Sequence, residues 1–218
     1  MSPASKAKSL MEKEESASSG RIPVQKRGRE RVEKILAAAI ELICESGSDA
    51  FKMSDIVERT GISFGSLYQY FPDKAAIIRR LAEHYNMLGR DCVTNELRGV
   101  ENFADLDAAL ARLVDGYFDT YREFPAMCDI WYATQADKQL ASLDAEDGEW
   151  HSQKLLSHLK GLSGRPEDEL LRASRLTMQM VAAAVRFAIT LEDDEARRTL
   201  DMFKRGLAGG LERLLEAD

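Results

Sequence analysis

From about Arg29 to the C-terminus, apolar residues recur at three- and four-residue intervals with little strict alternation, the spacing of helices that bury one stripe rather than of strands. The pattern predicts an all-α protein. Its first helix starts near Arg29, carries Val32, Ile35, Leu36, Ala39, Ile40, Leu42 and Ile43 on the inner side, and stops at Gly47, which takes the left-handed conformation without strain. Two very short helices follow, about Asp55 to Thr60 and Phe64 to Tyr70, joined through Gly61, Ile62 and Ser63, with Ser63 able to cap the second. Neither can bury a core alone. Ile56, Val57, Ile62, Leu67 and Tyr70 are spaced to pack the two helices on each other and on the first, at the steep angle of a helix-turn-helix. Phe64, Gly65, Ser66, Tyr68 and Gln69 are then left pointing away from the core. Pro72 ends the second short helix, and Asp73 with Lys74 opens a long one reaching about Arg98.

Five further helices are predicted, at about Leu106 to Glu123, Ala126 to Thr134, Leu143 to Leu162, Glu167 to Thr190 and Asp194 to Glu216. The fourth of these is apolar around much of its circumference, so it has to be covered on two sides. The last repeats Leu200, Phe203, Leu207, Leu211 and Leu214 with Gly206, Gly209 and Gly210 between them. Glycines inside a helix each cost about 1 kcal/mol relative to alanine, which favours close packing or a break; close packing is the expectation. Together the two helices form a surface on which a second copy would build a four-helix interface. The organisation expected is a disordered polar tail over residues 1–27, a helix-turn-helix domain over 28–75, and a helical regulatory and dimerisation domain over 76–218.

Composition narrows the class. With 218 residues, 44% apolar, 31% charged and a mean hydropathy of −0.33, the chain is long enough for a core without disulfides and fits neither a disordered nor a membrane class. The first 20 residues mix Lys and Glu with no apolar block, so no secretory signal is expected there. Three widely spaced thiols, Cys44, Cys92 and Cys128, fit a reducing compartment and not a structural zinc site. The expectation is a cytoplasmic protein with no membrane partner, no metal and no cofactor.

The net charge of −7 hides a division. Residues 21–80 carry 11 Lys/Arg against 8 Asp/Glu, residues 81–218 carry 16 against 26, and residues 1–20 balance at 3 and 3. Within residues 21–34, six cations face two carboxylates, the local excess that a phosphate backbone rewards.

The run GISFGSLYQYFPDKAAI, with the preceding DIVERT and the basic first helix, resembles the DNA-binding domain of the TetR family of transcriptional regulators. Gly61, Ser63, Gly65, Leu67, Tyr68, Tyr70, Phe71 and Lys74 coincide with that family's pattern in order and spacing, and the resemblance covers about residues 29 to 80. It implies that the Tyr68 hydroxyl and Lys74 meet phosphates, that the protein is a homodimer on double-stranded operator DNA, and that the regulatory half holds a pocket for a small-molecule inducer. Two positions depart from the family pattern. Lys52 stands where a Thr usually starts the first short helix, with Ser54 as the substitute hydroxyl, and Phe64 stands where a cation or small polar residue is frequent.

Read from the residues themselves, Arg27 and Arg29 are placed for the phosphate backbone or an adjacent minor groove. Lys52 is either a phosphate contact or a solvated charge. Gly65 either lets the helix approach the groove or serves packing. Base readout falls by elimination to Ser63, Phe64, Ser66 and Gln69. Without Arg on that helix, bidentate recognition of guanine is excluded, whereas Gln can bond adenine and Phe can touch a thymine methyl. Contacted positions should therefore favour A·T pairs. In the regulatory half the aromatics Tyr85, Phe103, Tyr117, Phe118, Tyr121, Phe124, Trp131, Tyr132 and Trp150 gather near Met127, Met178, His151 and Arg122 in helical order. The candidate ligand-binding residues are Tyr85, Phe103, Tyr117, Tyr121, Trp131, Trp150, His151 and Met178, set against plain core packing for any one of them.

An enzyme is the first rival reading, but His84, His151 and His158 are the only histidines and no metalloprotease, phosphate-loop or dinucleotide motif is present. The other rivals are an activator of the same fold and a helical protein-interaction module without an inducer. The expected function is a dimeric repressor that binds a palindromic operator and is released by a small apolar or aromatic ligand.

Overall fold

A computed structural model describes residues 23–216, and all regular structure among them is helical. Ten helices follow in order: α1 (Pro23–Ser46), α2 (Met53–Thr60), α3 (Phe64–Tyr70), α4 (Lys74–Glu96), α5 (Phe103–Glu123), α6 (Ala126–Ala136), α7 (Ala141–Leu162), α8 (Glu167–Ala188), α9 (Asp193–Leu207) and α10 (Gly210–Glu216). The chain forms two compact units. One holds the chain up to His84 together with Glu123–Ala141, and the other Tyr85–Arg122 together with residues from Ser142 onward. The division is not a single cut, because α6 joins the first unit although α5 and α7 belong to the second.

In the first unit, Ile35, Leu36, Ala39, Ile40 and Ile43 of α1 are sealed from solvent, as their spacing requires, and α1 packs on α2 and α6. Phe51, Ile56, Leu67, Phe71, Ile77 and Leu81 complete this core. The tail expected over residues 1–27 lies outside the described residues up to residue 22. From Pro23 the chain is already helical, so α1 starts ahead of the expected Arg29. Proline suits the first helical turn, where its missing N–H costs nothing, and Lys26, Arg27, Glu30 and Arg31 after it are exposed, so no apolar period marks this stretch in sequence.

In the second unit, Leu106, Leu110, Val114, Phe118, Leu155, Leu159, Leu170, Val181 and Val185 form the core, and α8 packs on both α9 and α10. The expected last helix, Asp194 to Glu216, is broken. Gly209 sits at φ +63° between α9 and α10, its N–H donating to the Asp107 carboxylate at 2.6 Å. A Cβ there would lie 2.7 Å from the Arg213 guanidinium, whereas nothing approaches within 4 Å of one at Gly206. The glycines thus mark a break and not close packing inside the chain. Nor is α8 covered on both sides in the single chain, since Leu176, Met180 and Phe187 are 50%, 38% and 58% exposed.

Candidate functional site

The short helices of the first unit are held by local bonds. Asp55 accepts the Lys52 N–H at 2.8 Å, closing the start of α2, while Ser54 bonds only the Asp55 carboxylate at 3.1 Å and caps nothing. At the other end the Thr60 hydroxyl donates to the Ile56 carbonyl at 2.6 Å, and Lys34 Nζ donates to the Thr60 carbonyl at 2.6 Å. Arg59 grips Glu45 of α1 through both ends of its guanidinium, at 2.8 and 2.7 Å. This pairing holds the Glu45 carboxyl below its ordinary range. Gly61 turns the chain at φ +68°, and Ser63 starts α3 by accepting the Ser66 N–H at 3.2 Å. Bidentate bonding and caps fix α2 and α3 where seven or eight residues could not hold a helix alone.

One face of α3 is buried and the other presented. Leu67 is fully buried and Phe71 nearly so, while Ser63, Phe64, Gly65, Tyr68 and Gln69 are exposed. Phe64 and Tyr68, one turn apart, stack with ring centroids 6.3 Å apart and planes inclined by 18°. A Cβ added at Gly65 would meet nothing within 4 Å, so packing within the chain gives no reason for a glycine there. A side chain at that position would instead stand off whatever the face approaches. Ser66 departs from the expected reading set. Its Oγ is shielded from solvent and has no hydrogen-bond partner, because residue 66 lies at the margin between the two faces.

Lys74 departs further. Its ammonium donates to the Asp49 and Phe51 carbonyls at 2.8 and 3.2 Å and lies 4.7 Å from the centre of the Phe51 ring. Two of its three donors are thus engaged inside the chain, and Lys74 ties the start of α4 to the segment before α2. Lys74→Met is expected to cost about 0.5–1.5 kcal/mol, chiefly at the part-buried Phe51 carbonyl, since water takes over at the exposed Asp49 carbonyl, read from denaturant unfolding. Among the other cations, Lys26, Arg27 and Lys52 are exposed and Arg29 is half-buried. Arg27 and Arg29 ride on the helical α1. A helix about 10 Å across does not itself enter a minor groove about 6 Å wide, so either option, phosphate or adjacent minor groove, falls to the two side chains alone.

The second unit contains a cavity of about 50 Å³ bounded by Gly89, Cys92, Val93, Leu113, Tyr117, His151, Met178, Val181 and Ala182. Of the eight ligand-binding candidates, it gathers Tyr117, His151 and Met178. Tyr85 and Tyr121 are buried away from its lining, Phe103 and Trp150 lie elsewhere in the unit, and Trp131 belongs to the first unit, in edge contact with Tyr132. The lining missed by sequence reasoning is small or aliphatic, residue types that look the same in a solid core. His151 has its Nδ1 3.7 Å from Asp147 Oδ2, and Asp147 in turn accepts from Arg90 Nε at 2.6 Å. Burial pushes the imidazole below its ordinary value, with Asp147 opposing and Arg90 assisting. The buried Tyr117 phenol is pushed up by burial, against the bond it shares with the Tyr121 hydroxyl at 3.3 Å.

The depressed imidazole has a stability consequence. Above the unfolded histidine value of about 6.5 neither state carries the proton, whereas below it the unfolded chain takes one up first, so stability falls as pH drops toward the folded value. Melting temperatures measured between pH 5 and 8 should show this loss, and His151→Phe should flatten that part of the profile. Among the described residues, no three of His, Cys, Asp and Glu come together as a metal site, and no helix is long and apolar enough to cross a membrane.

A third feature is an open apolar cleft of about 300 Å³ between α8 and the α9–α10 pair, lined by Leu176, Thr177, Met180, Phe203, Gly206, Leu207, Gly210, Leu211 and Leu214.

A capped helix pair presenting one side of its second helix is the architecture of helix-turn-helix regulators. Residues 35–81 match the family model for bacterial regulatory proteins of the tetR family, and residues 104–215 match that for the tetracyclin repressor-like C-terminal domain. The chain belongs to the TetR family, whose members are transcriptional regulators and not enzymes. It is 42% identical over 82 residues to the uncharacterized HTH-type transcriptional regulator YvdT of Bacillus subtilis (strain 168), covering 38% of this chain and 41% of that one. It is 27% identical over 129 residues to the HTH-type transcriptional regulator BetI of Escherichia coli O17:K52:H18 (strain UMN026 / ExPEC), covering 59% and 66%. The matches thus span less than two thirds of these relatives' lengths. The fold is shared with Salmonella enterica GusR, at a TM-score of 0.64 and 21% identity over 85% of this chain and 95% of that one. It is shared also with the fatty acid degradation regulator FadR from Bacillus halodurans, at 0.64 and 17% over 88% and 98%.

Proposed function

We propose that this TetR-family regulator binds a palindromic operator as a homodimer, reads it with α3, and is released by a small molecule bound in its second unit. Repression is the simplest outcome, because a dimer seated on a promoter blocks polymerase without further surfaces. The exposed face of α3, with open space around Gly65, carries the reading. The apolar cleft supports a symmetric partner, since large apolar side chains stand uncovered beside it. Two copies joined there would offer their α3 helices to successive major grooves about 34 Å apart. The small cavity of the second unit supports a ligand. A ligand favouring the non-binding conformation releases DNA through a coupling of about 1–3 kcal/mol.

Footprinting on the DNA upstream of the protein's own gene, repeated at several salt concentrations, tests the proposal. A symmetric protected site is expected, with affinity falling steeply as salt rises because phosphate contacts release counterions. Binding that ignores salt, or the absence of any protected site, would remove the DNA-binding reading. Loss of the footprint on adding one compound from a panel of metabolites and drugs would identify the effector class.

A further inference from the structure

We infer that the cavity of the second unit selects a small neutral molecule with an apolar body and one hydrogen-bond donor, received by Nε2 of His151. The inference deepens the effector-binding reading given above and rests on it. Nε2 has no hydrogen-bond partner in the protein and belongs to a side chain that lines the cavity, but it is covered there beside Gly89, so a donor reaches it as the wall at that point gives. The opposite ring nitrogen faces the Asp147 carboxylate, itself held by Arg90. That arrangement favours the proton on Nδ1, so Nε2 offers a lone pair and requires a donor. The other polar groups at the cavity wall are weaker claimants. The Tyr117 hydroxyl already shares a hydrogen bond with Tyr121, in which either oxygen can donate, and burial followed by Glu96 keeps the Cys92 thiol protonated, so no thiolate is offered to an electrophile.

Charge decides what is refused. A carboxylate would set acceptor oxygens against the Nε2 lone pair and lose its hydration against apolar walls, and an ammonium would meet the same desolvation cost with no free counter-charge, since Asp147 is already paired with Arg90. Size limits the rest. A cavity of about 50 Å³ is roughly a third of the ~150 Å³ apolar cavity known to accept benzene, so the ligand has only a few heavy atoms inside unless Met178, a flexible gap-filler, yields.

Matched probes separate these terms in the intact protein. Butan-1-ol and its isomer 1-methoxypropane have the same atoms, but only the alcohol donates; butyrate and butylammonium add one charge of either sign. Titrations followed by NMR of histidine-labelled protein should give a dissociation constant for the alcohol about tenfold lower than for the ether, and weaker binding still for both ions. The His151 ring signals should move. His151→Phe should erase the preference for alcohol over ether, while His158→Ala should keep it. Equal affinity for the two isomers, a preference for butyrate, or no binding of any probe into the tens of millimolar would overturn the inference, and the isomer comparison needs no variant to fold. Operator occupancy recorded in parallel separates the two readings. Release by compounds whose binding ignores His151 would leave effector control standing and overturn this assignment, whereas alcohol binding through His151 without release would leave the assignment standing and overturn effector control by this cavity.

Discussion

Exchanging Phe64 and Tyr68 together for alanine is expected to lower affinity for the footprinted operator about 100-fold or more, to the level of non-specific DNA. Each ring is about half exposed, at 49% and 48%, and the pair stacks along the presented side of α3. That helix has no Lys or Arg, the Ser63 oxygen is spent on its own cap, and Ser66 is turned away. On the proposed reading Gln69 would supply the main hydrogen bonding to base edges, Phe64 the apolar contact with thymine methyls, and the Tyr68 hydroxyl the phosphate contact that the resemblance implies. A good base contact is worth about 1–3 kcal/mol and a charge-assisted phosphate hydrogen bond a similar amount, so the two losses together span roughly 30-fold to 10⁴-fold. Unfolding free energy should fall by no more than about 1 kcal/mol, because half of each side chain is exposed and neither belongs to the core. Gel-shift titration on operator and scrambled DNA reads the ratio. Replacing operator thymines by uracil, which lacks only the methyl, should weaken the native protein at the contacted positions and leave Phe64→Ala indifferent. Unchanged discrimination in the double variant would place sequence reading elsewhere.

The second large effect is expected from Leu176→Asp. Leu176 lies on the uncovered side of α8 and lines the apolar cleft, half exposed in the single chain. The single chain should tolerate the carboxylate there, while twofold symmetry would bring two of them into one dry interface. An unpaired buried charge at an interface costs about 2–5 kcal/mol, so sedimentation velocity should show the dimer dissociation constant raised about 100-fold or more with helix content unchanged. Operator binding should fall with it to half-site strength. A variant that stays dimeric at the native concentration dependence would exclude this cleft as the dimer seam.

Much of the first unit was legible because its signals are local. Gly61, the Ser63 cap and Pro72 define the turn and both ends of α3 within a dozen residues, and the spacing of Leu67 and Phe71 sets its inner side. What escaped depends on distant partners. Nothing near Lys74 announces that its ammonium reaches carbonyls 23 and 25 positions earlier, and nothing near Ser66 announces that its hydroxyl is covered. The break after Leu207 was ambiguous because Gly206, Gly209 and Gly210 satisfy either a tight helix crossing or a stop. The bond from Gly209 to Asp107, 102 positions away, is what decides it. Aromatic clustering pointed to Tyr117, His151 and Met178, but the remaining cavity wall is made of small and aliphatic residues that carry no distinguishing chemistry in sequence.

The early start of α1 bears on how fast an operator is captured. Arg27 and Arg29 are carried on formed helix, so meeting phosphate freezes side chains only, whereas an extended arm would have to surrender backbone freedom worth about 1–2 kcal/mol per residue. If these cations meet the operator as proposed, capture would be a rigid-body collision steered by charge. Its on-rate should track ionic strength closely and be insensitive to helix-promoting cosolvents, the opposite of a segment that folds as it lands.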